Sequence, residues 1–152
     1  MTVARRDVAS PPARRLIEAL NAELSATYPE PGATHFRLDP EEVADGRGAF
    51  LIAWRGDTPV GCGAVRRVDE GTGEIERMYV VPAERGRGVA RALLDALEDQ
   101  ARALGLSRIV LETGVRQTAA IRLYERAGFR HIPPFGEYVH SSTTSVCMAK
   151  AL

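Results

Sequence analysis

Arg85-Gly86-Arg87-Gly88-Val89-Ala90-Arg91 sets three arginines and two glycines within seven residues, at the junction of a strand and a helix. That combination suits the binding of phosphate. Gly86 and Gly88 carry no Cβ, so the backbone can take dihedrals closed to other residues and lets a ligand approach closely. The first N–H groups of the following helix have no intrahelical acceptor, and the helix dipole adds partial positive charge at the same point. Arg85, Arg87 and Arg91 outweigh the neighbouring Glu84 and extend the attraction through charge-assisted hydrogen bonds. Arg91 stands where a dinucleotide fingerprint has its third glycine, and the Gly-Lys-Ser/Thr of a P-loop occurs nowhere. The expected guest is a phosphate-rich cofactor that neither motif serves.

The elements that must position this turn follow from periodicity. A first strand is expected over residues 2 to 8, then a helix opened by Ser10-Pro11, with Ala13, Leu16, Ile17, Leu20 and Leu24 on one stripe. Pro29, Pro31 and Gly32 end it, and Asp39-Pro40-Glu41-Glu42-Val43 carries a capping-box-like start for a short second helix. Ala49 to Arg55 and Val60 to Val68 read as strands flanking the turn Gly56-Asp57-Thr58-Pro59, and Asp69 to Gly73 turns into a third strand ending at Val81. The next helix aligns Val89, Leu93, Leu97, Ala101 and Leu104 and stops at Gly105. Ser107 to Thr113 is a strand, Gln117 to Ala127 a helix closed by Gly128, and Phe129 to Ile132 and Thr143 to Ala149 are the last two strands.

Composition bounds the function. At 152 residues and 45% apolar content the chain suits one α/β domain spanning residues 1–152, large enough to bury a core. Twenty acidic and twenty basic side chains cancel, which argues against nucleic acid or an anionic membrane as partner. The N-terminal segment has no apolar signal region and no run approaches a membrane span, so a cytoplasmic protein is expected. Cys62 and Cys147 lack CxxC spacing and a nearby histidine pair, so buried thiols are expected and no metal is.

Two segments together resemble the GNAT superfamily of acyl-CoA-dependent N-acetyltransferases. Arg85-Gly86-Arg87-Gly88-Val89-Ala90 resembles that family's pyrophosphate signature, Gln/Arg-x-x-Gly-x-Gly/Ala. Some thirty residues on, Gln117-Thr118-Ala119-Ala120-Ile121-Arg122-Leu123-Tyr124-Glu125-Arg126-Ala127-Gly128-Phe129 resembles its Asn-x-x-Ala-x-x-Leu/Phe-Tyr-Glu-x-x-Gly-Phe segment, with Gln117 in place of the usual Asn. The stretch from Ile132 to Tyr138, with Ser145-Val146-Cys147-Met148 after it, is similar to the ends of many bacterial members.

The resemblance implies a mixed, mostly antiparallel sheet flanked by helices, with the fourth and fifth strands splayed around the pantetheine arm of acetyl-CoA. It implies acetyl transfer to a primary amine of a small molecule, amino acid or peptide by direct attack in a ternary complex, with CoA as product. It assigns the cofactor to the main chain of Met78, Tyr79 and Val80, to Arg85, Gly86, Arg87, Gly88, Val89, Ala90 and Arg91, and to Gln117 and Tyr124. The alternative is a non-catalytic acyl-CoA sensor or regulatory domain, which would keep the glycine turn without needing catalytic side chains. A monomer or a homodimer fits either.

The acceptor amine is mostly protonated at neutral pH, so a base must take a proton before nitrogen attacks. Glu74 stands eleven residues before Arg85, the spacing of the catalytic glutamate in histone-acetylating members, and is the first candidate. Glu76 shares its strand parity, hence its face, and lies two residues nearer the thioester. Both could instead be solvated strand carboxylates beside Arg77. Tyr124 is the family's candidate general acid toward the CoA thiolate, although its stripe with Ala120, Leu123 and Ala127 would equally make it core. The acceptor is expected between residues 25 to 48 and 133 to 143, which hold Tyr28, His35, Asp45, Glu137, Tyr138 and His140.

Overall fold

Ala49 to Ala53 form an unbroken apolar run, and all five are buried, which marks this strand as one covered on both faces. The computed structural model describes residues 1–30 and 38–152. His35 therefore lies outside the described residues. In chain order the elements are β1 (Thr2–Arg5), α1 (Pro11–Thr27), β2 (Gly48–Arg55), β3 (Thr58–Arg67), β4 (Thr72–Val80), α2 (Val89–Ala103), β5 (Arg108–Gly114), α3 (Thr118–Arg126), β6 (Arg130–Ile132) and β7 (Ser145–Ala151). Short 3-10 turns occupy Pro40–Val43, Pro82–Glu84 and Gly136–Ser141.

The strands form one sheet in the order β1-β2-β3-β4-β5-β7-β6. Every pairing is antiparallel except β4 with β5, so this is the mixed, mostly antiparallel sheet the resemblance implied. Alternation along the strands divides the core in two. Ala49, Leu51, Val65 and Ile75 face Val89, Leu93, Leu97 and Ala101 of α2 together with Tyr124, Ala127 and Phe129. Phe50, Ile52, Cys62, Ala64 and Tyr79 face Ala13, Leu16 and Leu20 of α1.

Several local expectations shift. Ser10 precedes α1, but its hydroxyl donates to Asp7 O at 2.6 Å and not to the helix. Only Gly56 and Asp57 turn the β2–β3 hairpin, Gly56 with a φ of 61°, so Thr58 and Pro59 already belong to β3. The segment from Pro40 is a single 3-10 turn with the expected box: Glu42 Oε1 accepts from Asp39 N–H at 2.9 Å. The last strand begins at Ser145 and runs to Ala151, two residues later than alternation suggested.

Candidate active site

β4 and β5 pair from Thr72↔Arg108 to Ile75↔Leu111, and there the pairing stops. Beyond it β4 continues to Val80 and β5 to Gly114 with no ladder between them. Next to this point the β3–β4 register jumps from Ala64↔Glu76 to Cys62↔Tyr79, so that Arg77 and Met78 oppose the one residue Gly63. Arg77 sits at a φ of 53°, and Cys62 Sγ donates to its carbonyl at 3.3 Å. A Cβ on Gly63 would stand 2.6 Å from Met78 Sδ, so glycine there is what lets the Met78 side chain cross the strand toward Leu97. The bulge also redirects side chains. Arg77 reaches α1, donating from Nη1 to Asn21 Oδ1 at 2.8 Å, while Met78 and Val80 pack with the α2-side core and leave main chain at the open edge.

Glu74 and Glu76 share one face, as their parity requires, and neither is solvated: their exposures are 2% and 7%. The solvated-carboxylate reading is thereby overturned. Glu74 is opposite Arg66 in register, and Arg66 Nη2 donates to Glu74 Oε1 at 2.9 Å and lies 3.3 Å from Glu76 Oε1. Arg66 Nη1 is bonded to Glu42. The Tyr138 hydroxyl, from the connection between β6 and β7, donates to Glu74 Oε2 at 2.5 Å and lies 3.3 Å from Glu76 Oε1. Glu74 therefore holds two good donors, and Glu76 only their far sides. Burial, reinforced by the like charge of Glu74 and opposed by Arg66 and Arg77, pushes the Glu76 carboxyl from its ordinary 4.5 up to about 9. Burial also pushes the Tyr138 phenol well above its ordinary value, with the charges of Glu76 and Glu74 adding to it.

Glu76 lines a cavity at the strand split, together with Leu20, Leu24, Met78, Leu111, Glu112 and Tyr124. Glu74 lies behind it. Tyr124 is 5% exposed and meets Phe129 edge-on at 5.7 Å, so it is a core residue that also forms cavity wall. Burial, with the Glu112 charge adding to it, raises the Tyr124 phenol above its ordinary value. Glu112 itself accepts from Ser145 Oγ at 2.6 Å. Sequence reasoning passed over Arg66 and Glu112. Arg66 was recoverable, because a hairpin centred on Glu70 sets residue 66 against residue 74. Nothing local marks Glu112, which becomes a wall residue only because the ladder ends at Leu111.

The glycine turn has the conformation its residues suggested. Gly86 and Gly88 sit at φ 77° and 84°, and a Cβ on either would meet nothing within 4 Å, so the left-handed backbone is what demands glycine and the space outside is open. The first helical bond runs from Ala92 N–H to Gly88 O at 3.1 Å, which leaves the N–H groups of Val89, Ala90 and Arg91 ahead of the intrahelical ladder. Arg87 and Arg91 are exposed, with Glu84 at 3.4 Å and Asp95 at 3.1 Å beside them. Arg85 is placed differently. Its Nε donates to Val80 O at 2.9 Å, its Nη2 to Glu23 Oε2 at 2.7 Å, and its guanidinium lies over the Tyr79 ring. It ties the end of β4 to α1. Open amides and exposed cations fit a diphosphate.

Gln117 precedes α3 and lines the cavity, its Oε1 lying 3.5 Å from the Tyr28 hydroxyl. Tyr28 in turn accepts from Arg116 N–H at 2.8 Å and packs on Gly114, where a Cβ would stand 1.9 Å from its hydroxyl. Of the expected acceptor residues, Tyr138 joins the carboxylate pair. Tyr28 closes α1 onto the β5–α3 turn, Asp45 forms an exposed ion pair with Arg5 at 3.1 Å, and Glu137 and His140 are exposed.

A splayed parallel pair, a left-handed glycine turn and a buried carboxylate at the split make a testable combination, and the family model described as the acetyltransferase (GNAT) family matches residues 13–129. The chain belongs to the GNAT acetyltransferase family. As such it is an acyl-CoA-dependent N-acyltransferase. This GNAT enzyme is 42% identical over 139 residues to a protein of Azospirillum brasilense named IAA acetyltransferase, an alignment covering 91% of this chain and 90% of the other. A Klebsiella pneumoniae crystal structure assigned as an acyl-CoA N-acyltransferase superposes with a TM-score of 0.83 at 32% identity, covering 99% of this chain and 97% of that one. A GNAT family acetyltransferase of Elizabethkingia anophelis, solved with acetyl-CoA bound, shares the fold at a TM-score of 0.72 and 18% identity, with 99% and 97% covered.

Proposed function

We propose that this GNAT enzyme, acting as a single domain, acetylates a primary amine of a small molecule, amino acid or peptide from acetyl-CoA in a ternary complex, with Glu76 as general base and Tyr124 as general acid. The observation that carries the reading is that Glu76 and Tyr124 line the same cavity, where the β4–β5 ladder ends. Acetyl-CoA, when bound, supplies the activated acyl carbon. The N–H groups of Val89 to Arg91, with Arg87 and Arg91, hold its diphosphate by amide and cation contacts. Arg85 positions the end of β4 and does not act as a phosphate cation. The β5-facing main chain from Glu76 to Val80 lines the arm's path.

Glu76 is matched to a difficult deprotonation. A carboxylate of ordinary acidity is a poor acceptor for an alkylammonium proton; burial beside the Glu74 charge raises the basicity of Glu76 toward what the step requires. An ammonium entering the cavity adds to Arg66 and Arg77 in offsetting the repulsion between the two carboxylates, which favours loss of the proton Glu76 carries when no acceptor is bound. Tyr124 Oη delivers a proton to the departing sulfur.

The test is a thiol-release assay with acetyl-CoA across amines, amino acids and peptides, run beside thermal shifts with acetyl-CoA, ATP and NAD. The proposal expects turnover with at least one amine class and stabilisation by acetyl-CoA alone, about 2.7 kcal/mol at a hundredfold excess over the dissociation constant. Stabilisation without turnover on any acceptor would favour the sensor reading.

A further inference from the structure

We propose that Tyr138 is a positioning residue for the base: its hydroxyl draws the negative charge of the Glu74/Glu76 pair onto Glu74 and so sets the pH at which Glu76 can accept a proton. This rests on the reading of Glu76 as base. Tyr138 belongs to none of the sheet strands. It is carried by the 3-10 turn Gly136–Ser141, is 4% exposed, and is braced edge-on by Phe135 at 5.2 Å. The turn is tied back to the sheet through Ser141 Oγ, which lies 3.0 Å from Ser145 Oγ, and Ser145 donates to Glu112.

The geometry is asymmetric. Tyr138 Oη stands 2.5 Å from Glu74 Oε2 and 3.3 Å from Glu76 Oε1. Arg66 repeats the bias from the other side, at 2.9 Å and 3.3 Å. A donor stabilises the ionised form of the carboxylate it touches, and in a buried site nothing from solvent replaces it. Two donors favouring Glu74 leave Glu76 as the member of the pair that carries the exchangeable proton. The charged and titratable groups facing the pair are Arg66 from β3, Arg77 beside it on β4, Glu112 from β5, the Cys147 thiol from β7, and Glu42, which engages Arg66; α1 contributes the neutral Asn21. Tyr138 is the only donor among the described residues in this set that comes from an acceptor-side loop, so the acceptor's arrival and the base's proton affinity meet at one hydroxyl.

The test is the pH dependence of acetyl transfer, by thiol release with saturating acetyl-CoA and a fixed primary amine found active in the panel. The acceptor's own titration is common to all variants, so differences report on the protein. Tyr138→Phe removes a donor from the anion and should move the alkaline-rising limb to higher pH by about one unit, a roughly tenfold loss near neutrality that recovers at high pH. Glu74→Gln removes the like charge and should move the limb to lower pH. Should Tyr138→Phe fold poorly, site-specific 3-fluorotyrosine at 138, an isosteric and stronger donor, should move the limb down. Carbon-13 titration of the Glu76 carboxyl, its signal identified by loss in Glu76→Gln, should follow the same order without substrate. An unmoved midpoint in the Tyr138 variants, with Glu76→Gln still causing its large loss at neutral pH, would overturn the role of Tyr138 alone. Parental turnover of Glu76→Gln at neutral pH would instead overturn the base assignment.

Discussion

Arg66 and Glu74 face each other across the β3–β4 hairpin, and Arg66 Nη2 donates to Glu74 Oε1 at 2.9 Å with both side chains largely out of water. The same guanidinium engages Glu42 and approaches Glu76, so one cation serves three carboxylates. Buried ion pairs contribute little over apolar packing, yet removing one partner leaves uncompensated charge. Arg66→Met should therefore cost about 3–5 kcal/mol in urea denaturation at neutral pH. A loss below about 1 kcal/mol, the level of an exposed pair, would mean that the carboxylates do not depend on Arg66.

Gly88→Asp tests the cofactor turn. At a φ of 84° an aspartate is strained, and its carboxylate would stand beside the amides that await a diphosphate. Open space beyond the Cβ lets the fold survive. Isothermal titration should show acetyl-CoA affinity lost while the circular dichroism spectrum is retained. Equal affinity in mutant and parent would refute the placement.

The Glu76 shift also sets a pH dependence of stability. Its folded value lies above its ordinary 4.5, near 9, so between these the native state binds more protons than the unfolded chain. The contribution is fully present below the ordinary value and is lost as pH rises through the folded one. Glu76→Gln, which cannot ionise, should gain stability relative to the parent when chemical denaturation is repeated from about pH 5 to about pH 9. A difference that stays constant over that window would show that Glu76 does not titrate there.

Tyr124→Phe should preserve the edge-on contact with Phe129 and the packing of Ala120 and Ala127, because only the hydroxyl is removed. A thiolate is a fair leaving group, so turnover should fall by about ten- to a thousandfold, at or below the usual value of a positioned acid. Parental turnover at saturating acetyl-CoA, in conditions where chemistry limits the rate, would leave Tyr124 as core alone.

Periodicity was enough for most of the scaffold. The stripe of α2 from Val89 to Ala101 is buried as spaced, and the turn at Gly86 and Gly88 adopts the backbone that only glycine takes easily. The site was legible where local rules apply: Glu74 and Glu76 share a face because strands alternate, and their hairpin brings Arg66 opposite. Their burial was not legible, since it comes from α1 above and from Tyr138, sixty-four residues along the chain. The bulge was hidden too. Arg77 takes a positive φ with no glycine to announce it, held by Cys62 Sγ on its carbonyl and Asn21 on its guanidinium. The partners of Arg85, Val80 O and Glu23, were not legible either, since sequence shows its charge and not what the fold sets beside it.

The central claim is that Glu76 removes the acceptor's proton, and the most direct measurement is the pH profile of acetyl transfer in Glu76→Gln against the parent at saturating acetyl-CoA. The account predicts a loss of roughly 10²- to 10⁴-fold at neutral pH that shrinks as pH rises and more acceptor arrives already neutral, with acetyl-CoA binding unchanged. Parental turnover in the variant, or a loss of the same size at every pH, would contradict it.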